Sequence, residues 1–202
     1  MGPDLDIGNS PILKALPNGK RVLMTGTKTG EVFGLDPDNN GALLYRVPAV
    51  PGAGPTATGG RGPGNILWGG AVDNQNVYYG VGAMGLGALN PATGRSVWVF
   101  VPPRPATGLA ASLGAAPTAI PGVVFEGASN GMLYAVSTAD GTQLWEFNTA
   151  RDFETVNKVG AHGGAITSTG AIVVGGMVFV GSGYAINSGA SGGNVLLAFG
   201  VD

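Results

Sequence analysis

Gly34-Leu35-Asp36-Pro37-Asp38-Asn39-Asn40-Gly41, with Tyr45 four residues beyond its last glycine, decides how this chain folds. The phrase returns twice. Ala88-Leu89-Asn90-Pro91-Ala92-Thr93-Gly94 leads to Trp98, and Ala135-Val136-Ser137-Thr138-Ala139-Asp140-Gly141 leads to Trp145, each again four residues on. Every copy is a small apolar strand end, a polar turn closed by glycine, and an aromatic ring. The rings recur about every fifty positions, which marks a propeller or another array of short strands.

Strand and hairpin signals surround the first copy. Ser10–Leu16 and Arg21–Gly26 flank Pro17-Asn18-Gly19-Lys20, where the Asn-Gly pair tolerates the positive φ of a tight turn. Gly30–Leu35 and Ala42–Val47 supply a third and a fourth strand. Four antiparallel strands in so short a span make one propeller blade. The fold class expected is therefore all-β, with about four blades near residues 10–47, 65–101, 115–147 and 164–201. The fourth repeats the third as far as Val195-Leu196-Leu197-Ala198-Phe199, without a final turn and aromatic strand. Ala171–Val180, split by Gly175-Gly176, reads as a hairpin, and 149–159 is the one weak helix candidate. In each blade the repeated turn joins strands three and four, and Trp98 and Trp145 are expected to pack between neighbouring sheets. Such burial stabilises by roughly 1.5–3 kcal/mol per ring.

Composition narrows the function. Glycine (38) and proline (14) are abundant, but they punctuate apolar runs periodically and so do not signal disorder. A net charge of −2 without a basic run gives no footprint for nucleic acid. Cysteine is absent, which removes disulfides and thiolate metal sites. The start Met1-Gly2-Pro3-Asp4-Leu5-Asp6 has no secretory pattern, and no apolar run is long enough for a membrane span, so a soluble chain is expected. Gly80-Val81-Gly82-Ala83-Met84-Gly85 matches a dinucleotide fingerprint, yet a turn follows where a helix is needed. Gly127-Ala128-Ser129-Asn130-Gly131 spells a nucleophile elbow but leads into a strand, and His162 reads as a loop histidine.

The Leu-Asp-Pro-x-x-x-Gly phrases resemble the tryptophan-docking repeats of pyrroloquinoline-quinone (PQQ) dependent dehydrogenases. Asp4-Leu5-Asp6-Ile7-Gly8-Asn9-Ser10-Pro11-Ile12-Leu13, then Gly26-Thr27-Lys28-Thr29-Gly30-Glu31-Val32-Phe33, is similar to the polyvinyl-alcohol dehydrogenase type. Leu67-Trp68-Gly69-Gly70-Ala71-Val72-Asp73 and Ser182-Gly183-Tyr184-Ala185 fit that type's later blades. The resemblance implies the C-terminal half of an eight-bladed propeller that holds PQQ and calcium and oxidises alcohols by hydride transfer. It also implies an alcohol substrate, an electron acceptor such as a cytochrome, and a periplasmic or secreted location.

By the same resemblance, Lys28 reaches the quinone oxygens, where a cation stabilises developing negative charge. Read from its residues alone, Lys28 is an exposed turn lysine. Trp68 resembles a residue lining the cofactor end and could equally be packing. Asp4 matches the acid of the family's Trp-Asp pair, with Pro3 where the tryptophan is expected. No catalytic residue and no metal ligand is assigned within the chain, because the family's base and calcium ligands precede Asp4. Catalysis would then need an upstream propeller half or a second copy. The competing reading is a non-catalytic PQQ-like propeller serving as a protein-binding scaffold, as in outer-membrane assembly factors.

Overall fold

Small apolar strand ends, and turns whose glycines have positive φ, let this chain fold as successive antiparallel meanders. The computed structural model describes residues 4–57, 59, 62, 64–106, 108–185 and 190–200. The first sheet holds β1 (Ile12–Ala15), β2 (Arg21–Gly26), β3 (Glu31–Asp36) and β4 (Ala42–Pro48), in that order. The second holds β5 (Gly70–Val72), β6 (Val77–Gly80), β7 (Leu86–Leu89) and β8 (Ser96–Phe100). The third holds β9 (Thr118–Ile120), β10 (Val123–Gly127), β11 (Met132–Ser137) and β12 (Gln143–Asn148). A short pair, β13 (Asp152–Phe153) and β14 (Ala161–His162), precedes a fourth sheet of β15 (Ile172–Val174), β16 (Met177–Ser182) and β17 (Val195–Gly200).

The fold is the expected all-β propeller architecture. First strands of neighbouring sheets touch in sequence, β1 with β5, β5 with β9 and β9 with β15, so they form the inner wall. Buried clusters fill the three seams: Met24, Ile66 and Tyr79 in the first, Tyr78, Leu113 and Tyr134 in the second, Leu133, Ile166 and Val180 in the third. The Gly175-Gly176 hairpin forms, with both glycines at positive φ and Val174 opposite Met177. The helix considered over 149–159 does not form. Asp152–Phe153 is instead a strand paired with Ala161–His162, because the backbone finds its partners across a loop rather than along a helix. The fourth sheet has three strands among the described residues, and Val201, its expected end, lies outside them.

The repeated phrase is a repeated geometry. Tyr45 sits opposite Gly34, Trp98 opposite Ala88 and Trp145 opposite Ala135, each beside a β-bulge at the same place in its repeat. The small partner leaves room for the ring, and the bulge turns it toward the next sheet. There Tyr45 Oη donates to the Pro91 carbonyl at 2.9 Å, and Trp98 Nε1 donates to the Thr138 carbonyl at 3.0 Å. The turn glycines are required for this seating. A Cβ on Gly94 would lie 2.6 Å from the Tyr45 ring, and one on Gly141 would lie 2.8 Å from the Trp98 ring.

Candidate functional site

Lys28 lies in the turn from β2 to β3, closed by Gly30 N donating to the Thr27 carbonyl at 2.9 Å. Thr29 Oγ1 donates to Glu31 Oε2 at 2.9 Å, and the Arg46 guanidinium forks onto both Glu31 oxygens at 2.9 Å. That guanidinium holds the Glu31 carboxyl below its ordinary range, so the brace stays ionised.

The segment before β1 crosses this turn without forming a strand. Asn9 Nδ2 donates to the Gly26 carbonyl at 2.8 Å, and Lys28 N donates to the Asp6 carbonyl at 3.3 Å. Asp4 and Asp6 both reach the Lys28 ammonium: Nζ lies 2.9 Å from each Asp4 oxygen and 2.6 Å from Asp6 Oδ1. The Lys28 side chain is only 18% exposed, which departs from the exposed-lysine alternative. Hydrogen bonds to Asp6 and then Asp4 push its pKa up, so it is a cation throughout the physiological range.

The loop carrying Trp68 is tied to the same turn. Ile66 N donates to the Thr27 carbonyl at 3.1 Å, and the Ile66 side chain is fully buried against Gly26. Gly8 fits between this loop and the lysine stem: a Cβ there would lie 3.1 Å from the Leu67 carbonyl oxygen and 3.7 Å from Lys28 Cε. Two residues past its anchor, Trp68 is 43% exposed. It lines an open cavity of about 940 Å³ with Thr118, Ser168, Ile172, Tyr184 and Asn194.

The structure thus joins Asp4 to Lys28 directly and connects Trp68 to them through Thr27 and Ile66. Lys28 and Asp4 lie outside the cavity's lining. Two neighbours escaped the sequence reading. Asp6 carried no sequence signal of its own. Tyr184 was signalled by register, since Ser182-Gly183-Tyr184 occupies in the fourth repeat the place of Gly26-Thr27-Lys28 in the first. Met1-Gly2-Pro3, including the expected tryptophan position, lies outside the described residues.

The rejected motifs have plain structures. Gly80–Gly85 joins strands β6 and β7. Ser129 lies in the β10–β11 turn, where Ala128 N donates to the Met132 carbonyl at 2.9 Å. His162 is an exposed residue on β14, with Nδ1 2.7 Å from Asp152 Oδ1. Among the described residues no group of three His, Cys, Asp or Glu could hold a metal ion, and no helix is long and apolar enough to cross a membrane.

Residues 7–198 match the PQQ_2 family model, described as "Outer membrane protein assembly factor BamB". This chain belongs to that PQQ-repeat family. It is 39% identical over 229 residues to a polyvinylalcohol dehydrogenase of Pseudomonas sp, an alignment covering 100% of this chain and 34% of that protein. It therefore spans about a third of that relative's length. This likeness agrees with the PQQ-dependent dehydrogenase resemblance read from Asp4–Pro37. Among solved structures, quinohemoprotein alcohol dehydrogenase from Comamonas testosteroni superposes with a TM-score of 0.66 at 17% identity, over 88% of this chain and 29% of that one. BamB from Moraxella catarrhalis gives 0.59 at 19% identity, over 87% and 47%. Those two likenesses concern the fold.

Proposed function

We propose that this chain is the part of a PQQ-dependent alcohol dehydrogenase, of the polyvinyl-alcohol type, that presents a cation and an indole to the cofactor. One observation carries the reading: Lys28 is a buttressed, charged lysine whose turn is hydrogen-bonded to the loop bearing an exposed Trp68. A planar, multiply anionic quinone needs both kinds of partner, so these residues fit it. When bound, PQQ supplies the two-electron acceptor for hydride leaving an alcohol carbon.

The chain's residues act around that chemistry. Lys28 offers positive charge to the cofactor's oxygens and stabilises charge developing there, without a change in its own protonation. Asp4 and Asp6 hold the ammonium between them with three carboxylate oxygens, so it would give up at least one of these contacts to meet a cofactor oxygen. Trp68 provides an apolar face at the rim of the cavity. Calcium does not fit in the same way, since its carboxylate ligands find no cluster among the described residues, and no step is assigned to it here. The base that takes the alcohol proton is likewise assigned to polypeptide outside this chain. An alcohol substrate, an acceptor such as a cytochrome and a periplasmic or secreted setting belong to the same proposal.

The matched family's description favours a second reading, a non-catalytic propeller that binds other proteins. Alcohol-dependent dye reduction separates the two. With PQQ and calcium added, this chain alone is expected to be inactive, and activity is expected once a relative's upstream polypeptide is supplied. No activity in the reconstituted pair would remove the enzyme reading.

A further inference from the structure

His162, the chain's only histidine, stands directly across from Asp152 in the β13–β14 ladder, so their side chains share a face. Nδ1 lies 2.7 Å from Asp152 Oδ1. Asp152 has no other ion-pair partner among the described residues. The adjacent Arg151 is drawn off by rings, its guanidinium 4.6 Å from the Phe147 centroid and 5.1 Å from that of Phe153. An ionised carboxylate only accepts. It therefore holds the proton of the neutral imidazole on Nδ1 and leaves the Nε2 lone pair open to another proton.

The backbone of His162 is fixed to the wall of the Trp68 cavity. Its N–H donates to Asn194 Oδ1, and its carbonyl accepts from Asn194 N, both at 2.9 Å. Asn194 lines that cavity. The rest of the lining is glycine, apolar and aromatic residues and the hydroxyls of Thr118, Ser168, Thr169 and Ser182, with no carboxylate, amine or imidazole. A proton released there meets no resident acceptor. The His162 side chain is half exposed, so a proton on Nε2 can pass to solvent.

We propose that His162 is the proton carrier of this cavity and that Asp152 is its positioning residue. The inference rests on the dehydrogenase reading above. Oxidation of an alcohol breaks the C–H bond as hydride, which the quinone takes, and the O–H bond as a proton, which goes to the base. His162 Nε2 receives that proton from the base through water and the cavity's hydroxyls. It then gives the proton to solvent and returns to the neutral Nδ1–H form. The charged groups beside the ring are Asp152 across the ladder and Arg151, Glu154 and Lys158 on the same hairpin. Residues 190–195, on the other side, carry none, and only Asp152 is in contact.

Because the chain has one histidine, isotopic labelling of histidine nitrogen lets NMR report a single ring in the 202-residue chain. The neutral ring is expected in the Nδ1–H form, moving toward Nε2–H in Asp152→Ala. A native ring already in the Nε2–H form would overturn the proposal. The kinetic arm uses the chain reconstituted with a relative's upstream polypeptide, PQQ and calcium, at low buffer concentration. His162→Gln is expected to slow alcohol-dependent dye reduction at least tenfold, with PQQ uptake unchanged and added imidazole restoring most of the rate. A loss that imidazole does not restore would make His162 structural and overturn the proposal. An active pair indifferent to His162→Gln would overturn the proton route and leave the dehydrogenase reading standing, whereas an inactive native pair would overturn both.

Discussion

All three inter-sheet seams start from the same phrase and are filled by buried clusters, but among the described residues only the first two aromatics sit on a following turn. Tyr45 and Trp98 each meet a glycine and a carbonyl from the next sheet, while Trp145 meets other rings and solvent. A docking aromatic is thus only half of a joint. The other half is a turn backbone, and glycine serves there because any side chain would occupy the ring's place.

Removing the ring separates the seams most strongly. Trp98→Ala is expected to cost about 3–5 kcal/mol in urea denaturation, the range for emptying a filled aromatic site. Trp145→Ala is expected to cost about 1 kcal/mol, because much of its surface is already in water. Equal losses would mean that the seam contributes nothing beyond the ring itself.

The glycines give a second contrast. Gly41 and Gly141 both have positive φ, but a Cβ on Gly41 meets nothing within 4 Å, whereas one on Gly141 strikes the Trp98 ring. Gly41→Ala is expected to cost about 1 kcal/mol of backbone strain. Gly141→Ala is expected to cost that and roughly 1–3 kcal/mol more from overpacking. Tryptophan emission would also shift red in the second variant only.

A third probe reads the second seam by pH. Glu126 is fully buried, neither carboxylate oxygen has a partner among the described residues, and its Oε1 faces the space that Gly80 leaves without a Cβ. Burial raises its pKa well above the ordinary 4.5, so the folded chain keeps a proton that the unfolded chain gives up. Its contribution is complete below the unfolded value and declines as pH rises toward the folded one, by at most about 1.4 kcal/mol per pH unit. Glu126→Gln is expected to flatten that decline. An unchanged slope would place the pH sensitivity elsewhere.

The propeller was legible because it is local: a polar turn, a glycine and an aromatic at fixed spacing carry their own geometry. The Gly175-Gly176 hairpin was legible for the same reason. The joints between sheets were less so, since Tyr45 and Pro91 are distant in sequence and only folding brings them together. Within the candidate site, Lys28, Trp68 and Asp4 emerged from family likeness, whereas Asp6 emerged only from the way the segment before β1 crosses the β2–β3 turn. That segment reads as loop, and its register against β2 depends on Asn9 bridging to Gly26. Phe153 escaped as a strand because two residues cannot display a period.

The β2–β3 turn of the first sheet, where Lys28 and the Trp68 loop meet, bears the functional reading. Its most direct test is an equilibrium titration of the 202-residue chain with PQQ, followed by tryptophan quenching. Saturable uptake is expected, weakened at least tenfold by Lys28→Ala and with much of the quench lost in Trp68→Phe. Uptake unaffected by either substitution, or none at all, would contradict the assignment of this end to the quinone.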